Sequence, residues 1–465
     1  MADVRFTLDV LRTGRADTAE IERRRRLRLA SIIRHARERS PFYRNHYRGL
    51  PPGEPSLADL PPVAKPELMA DFDAWVTNPA VTRAGVEAFV ADPTRIGDSF
   101  LGSYFVCSTS GTTGHPGLFV HDQTSVAVFR ALTARADLSW LAAREWMALA
   151  GRGFRWAGVV GTGSHFGGAG WVEFQRNRNS ALRRAYRVFS AQDPLDDLVE
   201  ALAGFDPAIL TGYPSSMALI AEAQAEGKCR LRPVLVAAAG ESINAAETDR
   251  LSAVFGVSCH EIYGASEFLQ LAFDCPDGWL HVNADWVILE PVDDRYRPTP
   301  LGEPSHTVLV TNLANRVQPI IRYDLGDSVI ARPGPCTCAS SLPAIRVTGR
   351  RDDVLHFIAG DGEAVRLPPL AISAVVEGTA SVHRSQLVQI DRSTLRVHLE
   401  ARPGEDPERM WAGVLADLDR YLVAQGVAGV SLIRAEEPPR TDEKSGKFRQ
   451  VIGARLDRTE TVSAR

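Results

Sequence analysis

The run Ser108-Thr109-Ser110-Gly111-Thr112-Thr113-Gly114-His115-Pro116-Gly117 joins hydroxyls and glycines directly after an apolar stretch, Ser103-Tyr104-Phe105-Val106-Cys107. Glycines let backbone N–H groups turn toward an anion, and small hydroxyls donate further hydrogen bonds, so the chemistry on offer is phosphate binding. No Gly-Lys-Ser/Thr succeeds it at Walker A spacing, and a plain Ser/Thr/Gly turn has the same composition. The order of five motifs downstream lifts the run above a turn. Ala239-Gly240-Glu241 and Tyr263-Gly264-Ala265-Ser266-Glu267 each succeed an apolar run. Then come Arg322-Tyr323-Asp324-Leu325-Gly326-Asp327, Gly349-Arg350-Arg351-Asp352-Asp353, and Pro439-Arg440-Thr441 with Ser445-Gly446-Lys447-Phe448-Arg449. A second set, Cys275, His281, Cys336 and Cys338, has residue types suited to a closed tetrahedral S₃N zinc site. Reduced structural cysteines are the other reading of that set.

Lysine occurs only at Lys65, Lys228, Lys444 and Lys447, while arginine supplies the other 49 of the 53 basic residues. Each retained lysine therefore gains interest, because a guanidinium cannot replace a compact ammonium acting as a point charge.

These residues need a scaffold, and 465 residues suffice for a large domain and a smaller one. The apolar fraction of 45% and charged fraction of 24% are those of a globular protein. A formal net charge of -4 gives no electrostatic case for nucleic acid or an acidic membrane. The Arg23-Arg24-Arg25-Arg26 run reads as the solvated face of an amphipathic helix whose apolar side holds Leu29, Ile32, Ile33 and Ala36. No run approaches a membrane span, the N-terminus lacks a secretory apolar region, and six cysteines in so long a chain form no disulfide framework. The expected location is cytoplasmic.

Residues 50–66 are proline-rich and read as an extended connector. Beyond residue 100, β-like runs such as Gly158–Gly161, Pro233–Ala237 and Thr307–Val310 alternate with helical stretches, which predicts an α/β architecture. The polar stretch Gly349–Val354 reads as a linker. It divides an N-terminal domain over residues 1–348 from a compact α+β domain over 349–465, with a helix at Pro407–Gln425 and a loop at Glu436–Lys447.

In this order the motifs resemble the adenylate-forming superfamily of acyl-CoA synthetases, adenylation domains and luciferases. Within it the phenylacetate-CoA ligase-like branch is most similar, on Pro41-Phe42-Tyr43-Arg44, on Gly163–Gly170 and on Arg322-Tyr323 leading into Asp327. The likeness runs from about residue 20 to residue 452. It implies a large multi-sheet adenylation domain with a small mobile C-terminal domain, and ATP-dependent conversion of a carboxylic acid, expected to be aromatic, to an acyl-adenylate. Coenzyme A is the implied acceptor, an amine the alternative, and a homodimer is left open. A degenerate nucleotide binder is the rival from another class.

By the same resemblance Ser110, Gly111, Thr112, Thr113 and Gly114 hold the β/γ-phosphates and Glu267 holds Mg²⁺. Tyr263 and Gly264 meet adenine, and Gly240 and Glu241 border it. Asp327 takes the ribose hydroxyls, and Arg350 the ribose or phosphate side. Lys447 is the catalytic lysine, ranked above Lys444, and Asp352 is the hinge between two poses of the small domain. His165, Phe166, Tyr213 and Ala265 are implied for the acid pocket, with Trp156 and Trp171 as further candidates that buried core packing explains equally well. Two departures stand out. His115 occupies the position where the family loop carries lysine, and histidine is largely neutral at pH 7. Ala339 stands where the branch has glycine after its Cys-x-Cys.

Overall fold

The computed structural model describes residues 2–50, 56–109, 117–350, 353–359, 364–367, 369–379, 381–427, 429–442 and 448–454. Two compact units divide the chain: residues 1–325 with 330–346 and 443–447, and residues 326–329 with 347–442 and 448–465.

The first unit begins with helices. Thr18–Arg39 is capped by Asp17, whose side chain accepts from Glu20 N at 2.8 Å, and buries Ile21, Ile32, Ile33 and Ala36 as the apolar spacing predicts. The connector expected up to residue 66 is shorter. A single turn forms at Leu57–Asp59 and a helix starts at Lys65, because the Glu67 carboxylate reaches back to Ala64 N at 2.8 Å. Strands β1 (Phe105–Ser108) and β2 (Leu118–His121) then pair antiparallel around the glycine-rich run.

The main sheet is built from β3 (Trp156–Val160), β4 (Tyr186–Ser190), β5 (Ile209–Gly212), β6 (Leu235–Ala239), β7 (Cys259–Ala265), β8 (Phe268–Asp274) and β9 (Leu280–Val282). Its order is β9-β8-β7-β6-β5-β3-β4, parallel from β4 to β7 and antiparallel from β7 to β9. The parallel strands are near-continuous apolar runs because both faces are covered. Val159, Leu210, Val236 and Ala238 pack with Leu202, Met217, Ile220 and Leu251 from the covering helices. Each fully buried leucine there contributes roughly 2 kcal/mol. A smaller sheet joins β10 (Val287–Val292), β11 (Thr307–Asn312) and β12 (Tyr323–Asp324).

Strands β13 (Asp327–Ala331) and β14 (Ala344–Arg350) each divide between the units; Ala344 and Ile345 of β14 pair with His281 and Leu280 of β9. The residues Gly349 and Arg350, expected in a linker, are thus strand. The second unit carries a hairpin, β15 (Leu355–Ile358) with β16 (Ala364–Leu367). It also carries a sheet ordered β19-β18-β17-β20 from β17 (Val382–Asp391), β18 (Thr394–Ala401), β19 (Ser431–Arg434) and β20 (Val451–Ile452). Helix Pro407–Ala424 lays Met410, Val414, Leu418 and Leu422 into its core beside Leu387, Leu395 and Val397. This is the expected α+β composition.

Candidate active site

Parallel strands in an open sheet leave a crevice outside their carboxyl ends, at the point where successive connections depart in opposite directions. Here the chain goes from β3 outward to β4 and then returns to β5 on the other side, so the switch lies between β3 and β5. The sequence motifs sit directly after those strand ends. Residues 161–166 succeed β3, Tyr213 succeeds β5, Gly240-Glu241 succeed β6, and Ser266-Glu267 succeed β7.

Strand β1 draws two of these together. Ser108 N donates to His165 O at 2.8 Å, Ser108 bridges Phe166, and the Cys107 thiol donates to Ser266 O at 3.6 Å. Immediately beyond β1 the glycine-rich run is closed at its neck: Thr109 N donates to Gly117 O at 3.0 Å, and Gly117 N donates to Thr109 Oγ1 at 2.7 Å. Gly117 has no room for a side chain, since a Cβ there would lie 2.7 Å from the Phe119 ring. Ser110 to Gly114 and His115 lie outside the described residues, as do Asp352, Lys444 and Lys447.

Glu267 is buried, 5% exposed, in the turn between β7 and β8. Its backbone is held by two side chains that no motif flagged. The His121 Nε2–H donates to Ser266 O at 2.9 Å, and Asn312 Nδ2 donates to Glu267 O at 3.1 Å. His121 is fully buried between Phe105 and Phe129, and its Nδ1 has no hydrogen-bond partner. Burial pushes its pKa down to about 4, so the ring is neutral and carries its proton on the nitrogen facing Ser266. Asn315 and Gln318, on the loop that leaves β11 at Asn312, donate to Val120 O and Leu118 O of β2. The Glu267 carboxylate is therefore presented from a turn fixed on both sides. Gly264 is required just before it, because a Cβ would lie 2.2 Å from Leu269 O.

Tyr263 is buried at the end of β7. The Glu241 carboxylate accepts from Ser215 N at 3.1 Å at the start of helix Pro214–Ala225, where the helix dipole favours a negative charge. Tyr213 is buried at the switch point, its N–H donating to Val159 O at 3.1 Å and its phenol pushed up to about 12 by desolvation. Phe166 is half-buried at the start of helix Gly167–Arg178, and Ala265 is half-buried beside the Glu267 turn. The His165 ring hydrogen-bonds Asp92 O at 3.2 Å and lies 4.9 Å from the Phe89 ring, so its side chain packs on the neighbouring helix. Trp171 packs among Phe105, Phe129 and Phe174, and Trp156 on Tyr186. In the second unit, Asp327 and Arg350 form an ion pair at 3.7 Å, with Arg350 about half exposed.

The cysteine–histidine set converges completely. Cys275, His281, Cys336 and Cys338 bring their ligand atoms within 4.8 Å of one another. The Cys275 and Cys336 sulfurs are 3.6 Å apart, and His281 Nε2 is 3.1 Å from Cys338 Sγ. A tetrahedral zinc with Zn–S bonds of about 2.3 Å has S···S edges of about 3.8 Å. His281 Nδ1 faces Leu342 O at 2.9 Å, which sets the proton there and turns the Nε2 lone pair to the sulfurs. Arg332 Nη1 lies 3.4 Å from Cys336 Sγ, a cation beside a prospective thiolate. Ala339 has φ of 64°, in the left-handed region that favours glycine. All six cysteines are free of disulfides.

No protein-family model and no curated protein sequence matches the chain. Solved structures do. A 2-hydroxyisobutyryl-CoA ligase in the postadenylation state, in complex with 2-HIB-AMP, is 22% identical over 92% of this chain and 88% of its own, with a TM-score of 0.63. The anthranilate CoA ligase AuaEII in complex with anthranoyl-AMP is 18% identical over 74% and 64%, at 0.53. A benzoate CoA ligase from Burkholderia xenovorans LB400 is 17% identical over 72% and 65%, at 0.51. The chain has the fold of the acid–CoA ligases. That α/β fold, with its large and small parts, is the one its motifs lead one to expect. Among the described residues no helix is long and apolar enough to cross a membrane.

Proposed function

We propose that this protein is an ATP-dependent acid–CoA ligase. The observation that carries the reading is the placement of Glu241 after β6, Tyr263 near the end of β7 and Glu267 directly after β7, in a fold shared over 92% of the chain with a ligase structure that holds an acyl-AMP. In the first half-reaction a carboxylate oxygen attacks the α-phosphorus, the bond from that phosphorus to the bridging oxygen breaks, and pyrophosphate leaves. In the second, the CoA thiol attacks the acyl carbon, loses its proton, and AMP departs.

Such chemistry needs positioning and neutralisation of spreading negative charge. Mg²⁺, when bound, neutralises phosphate charge, and the buried Glu267 carboxylate on its clamped turn suits a hard, oxygen-seeking cation. Tyr263 offers a flat face to adenine, Asp327 accepts from the ribose hydroxyls, and Arg350 serves the ribose or phosphate side. Lys447 bridges the carboxylate and α-phosphate during adenylation, with Asp352 as the hinge. The Cys275, His281, Cys336 and Cys338 set holds a structural zinc, with four protein ligands and no open position for catalysis. For the acid, anthranilate- and benzoate-CoA ligases among the structural neighbours and the buried Tyr213 favour an aryl carboxylate.

Acid-dependent exchange of labelled pyrophosphate into ATP tests the first half-reaction across aryl and short alkyl acids. Exchange with an aryl acid, and then acyl-CoA formation, is expected. ATP binding without exchange for any acid would overturn the ligase in favour of a nucleotide binder, and exchange leading to acyl transfer only to amines would overturn CoA as acceptor.

A further inference from the structure

The four residues that converge on one point are unequally enclosed. Cys275 and Cys336 are buried, 8% and 9% exposed, whereas Cys338 is half-buried and gives the set an open edge. The four ligand atoms lie within 4.8 Å of one another, with Cys275 Sγ 3.6 Å from Cys336 Sγ. A disulfide needs about 2.05 Å between its sulfurs, so small side-chain movements suffice to join two of them.

Two chain segments meet here. Cys275 begins the turn after β8, its N–H donating to Trp279 O at 3.0 Å, and Cys336 and Cys338 lie on the segment between β13 and β14. The base of that segment is fastened by Arg332 N donating to Ala344 O at 2.9 Å and by Val282 N donating to Pro343 O at 2.8 Å. Backbone pairing, as well as the sulfur set, therefore keeps the two segments adjacent. Arg332 Nη1 lies 3.4 Å from Cys336 Sγ, a cation that favours negative sulfur. Coordination to zinc makes each sulfur a thiolate, and the thiolate is the form that a peroxide oxidises.

We propose that this set is an oxidisable zinc site, which a hydroperoxide converts to a disulfide tying Cys275 to the Cys336–Cys338 segment, with release of the metal. The half-buried Cys338 thiolate attacks a peroxide oxygen; the O–O bond breaks, an S–O bond forms and hydroxide leaves. The Cys275 thiolate then attacks that sulfur, the S–O bond breaks, the S–S bond forms and a second hydroxide leaves. Two electrons pass from two sulfurs to the peroxide, which ends as two waters after taking two protons. Zinc, left with one thiolate and His281, departs. The disulfide keeps the tie between the two segments that the metal had made, so the change is reversible by a thiol reductant and fresh zinc. The proposal rests on the zinc assignment and is independent of the ligase reading.

The test starts from protein purified under reductant and then freed of it, with its zinc content measured first. Hydrogen peroxide is added in the presence of a chromogenic zinc chelator. One zinc should be released for every two thiols lost, and mass spectrometry should find a disulfide between Cys275 and the Cys336–Cys338 segment. Dithiothreitol with added zinc should restore both metal and thiols. Cys229→Ser, which alters a half-buried cysteine outside the set, should release zinc as wild type does. Zinc retained under peroxide, or released with sulfinic acids and no such disulfide, would overturn the proposal and leave the zinc assignment standing. Protein without zinc before peroxide is added would overturn the assignment itself, and the proposal with it.

Discussion

Two buried histidines in the first unit are neutral for the same physical reason and do opposite work. His121 and His281 are each about 1% exposed or less, and desolvation depresses the pKa of both. They differ in where the proton goes. At His281 the carbonyl of Leu342 fixes it on Nδ1, so Nε2 turns a lone pair to three sulfurs. At His121 the carbonyl of Ser266 fixes it on Nε2, and Nδ1 is left among aromatic rings. Burial alone therefore makes no metal ligand. The carbonyl that takes the proton decides which nitrogen keeps its lone pair, and whether that lone pair faces sulfurs, as at His281, or aromatic rings, as at His121.

The largest effect expected from breaking this contrast is on the metal side. His281→Ala should abolish stoichiometric zinc and lower the thermal midpoint by on the order of 10 °C, since structural zinc contributes folding free energy directly. Metal analysis alongside a thermal melt measures both. A variant that melts like wild type, or a wild type that loses zinc on mild dialysis, would return Cys275, Cys336 and Cys338 to the status of reduced structural cysteines beside a core histidine.

A smaller effect is expected on the pH dependence of stability. The folded pKa of His121, about 4, lies below the ordinary value of 6.5, so the unfolded chain binds more protons between those values. Its contribution is complete above pH 6.5 and is lost as pH falls toward 4, about 2–3 kcal/mol by pH 4.5. Asp137 and Glu261, each pushed up to about 7 by burial, act in the opposite sense, losing stability as pH rises. They cancel in the difference between wild type and His121→Phe. Denaturant midpoints at pH 7 and 4.5 should show that the variant has the flatter profile; parallel profiles would mean the ring is not buried neutral.

The sequence made some of this legible and hid the rest, for identifiable reasons. Cys-x5-His and Cys-x-Cys could be read as one set from residue type, since thiolates and an imidazole suit a closed zinc site. The end of β6 was legible because its apolar run stops where Gly240 begins. His121 and Asn312 were not, because a side chain that supports a carbonyl needs only one donor at one point, and no spacing rule governs it. His165 shows what a glycine-rich stretch leaves unsaid about a side chain's direction. It lies in the glycine-rich stretch after β3, yet its ring hydrogen-bonds to Asp92 on an earlier segment.

The smallest effect is the most diagnostic of the His121 hydrogen bond. Phe at position 121 fills the aromatic slot but donates nothing, leaving Ser266 O without the ring donor while Asn312 still holds Glu267 O. Losing one of two restraints should loosen the carboxylate without emptying the site. For the ligase reading, His121→Phe should cut pyrophosphate exchange about tenfold, about 1.4 kcal/mol of transition-state stabilisation. It should also raise the Mg²⁺ concentration at half-maximal rate several-fold, leaving the dissociation constant for AMP nearly unchanged. His121→Gln, which keeps a donor of similar reach, should recover part of the rate. A merely structural role would move the thermal midpoint and leave the Mg²⁺ dependence as it is, so that dependence decides whether the carbonyl behind Glu267 is part of how the metal is held.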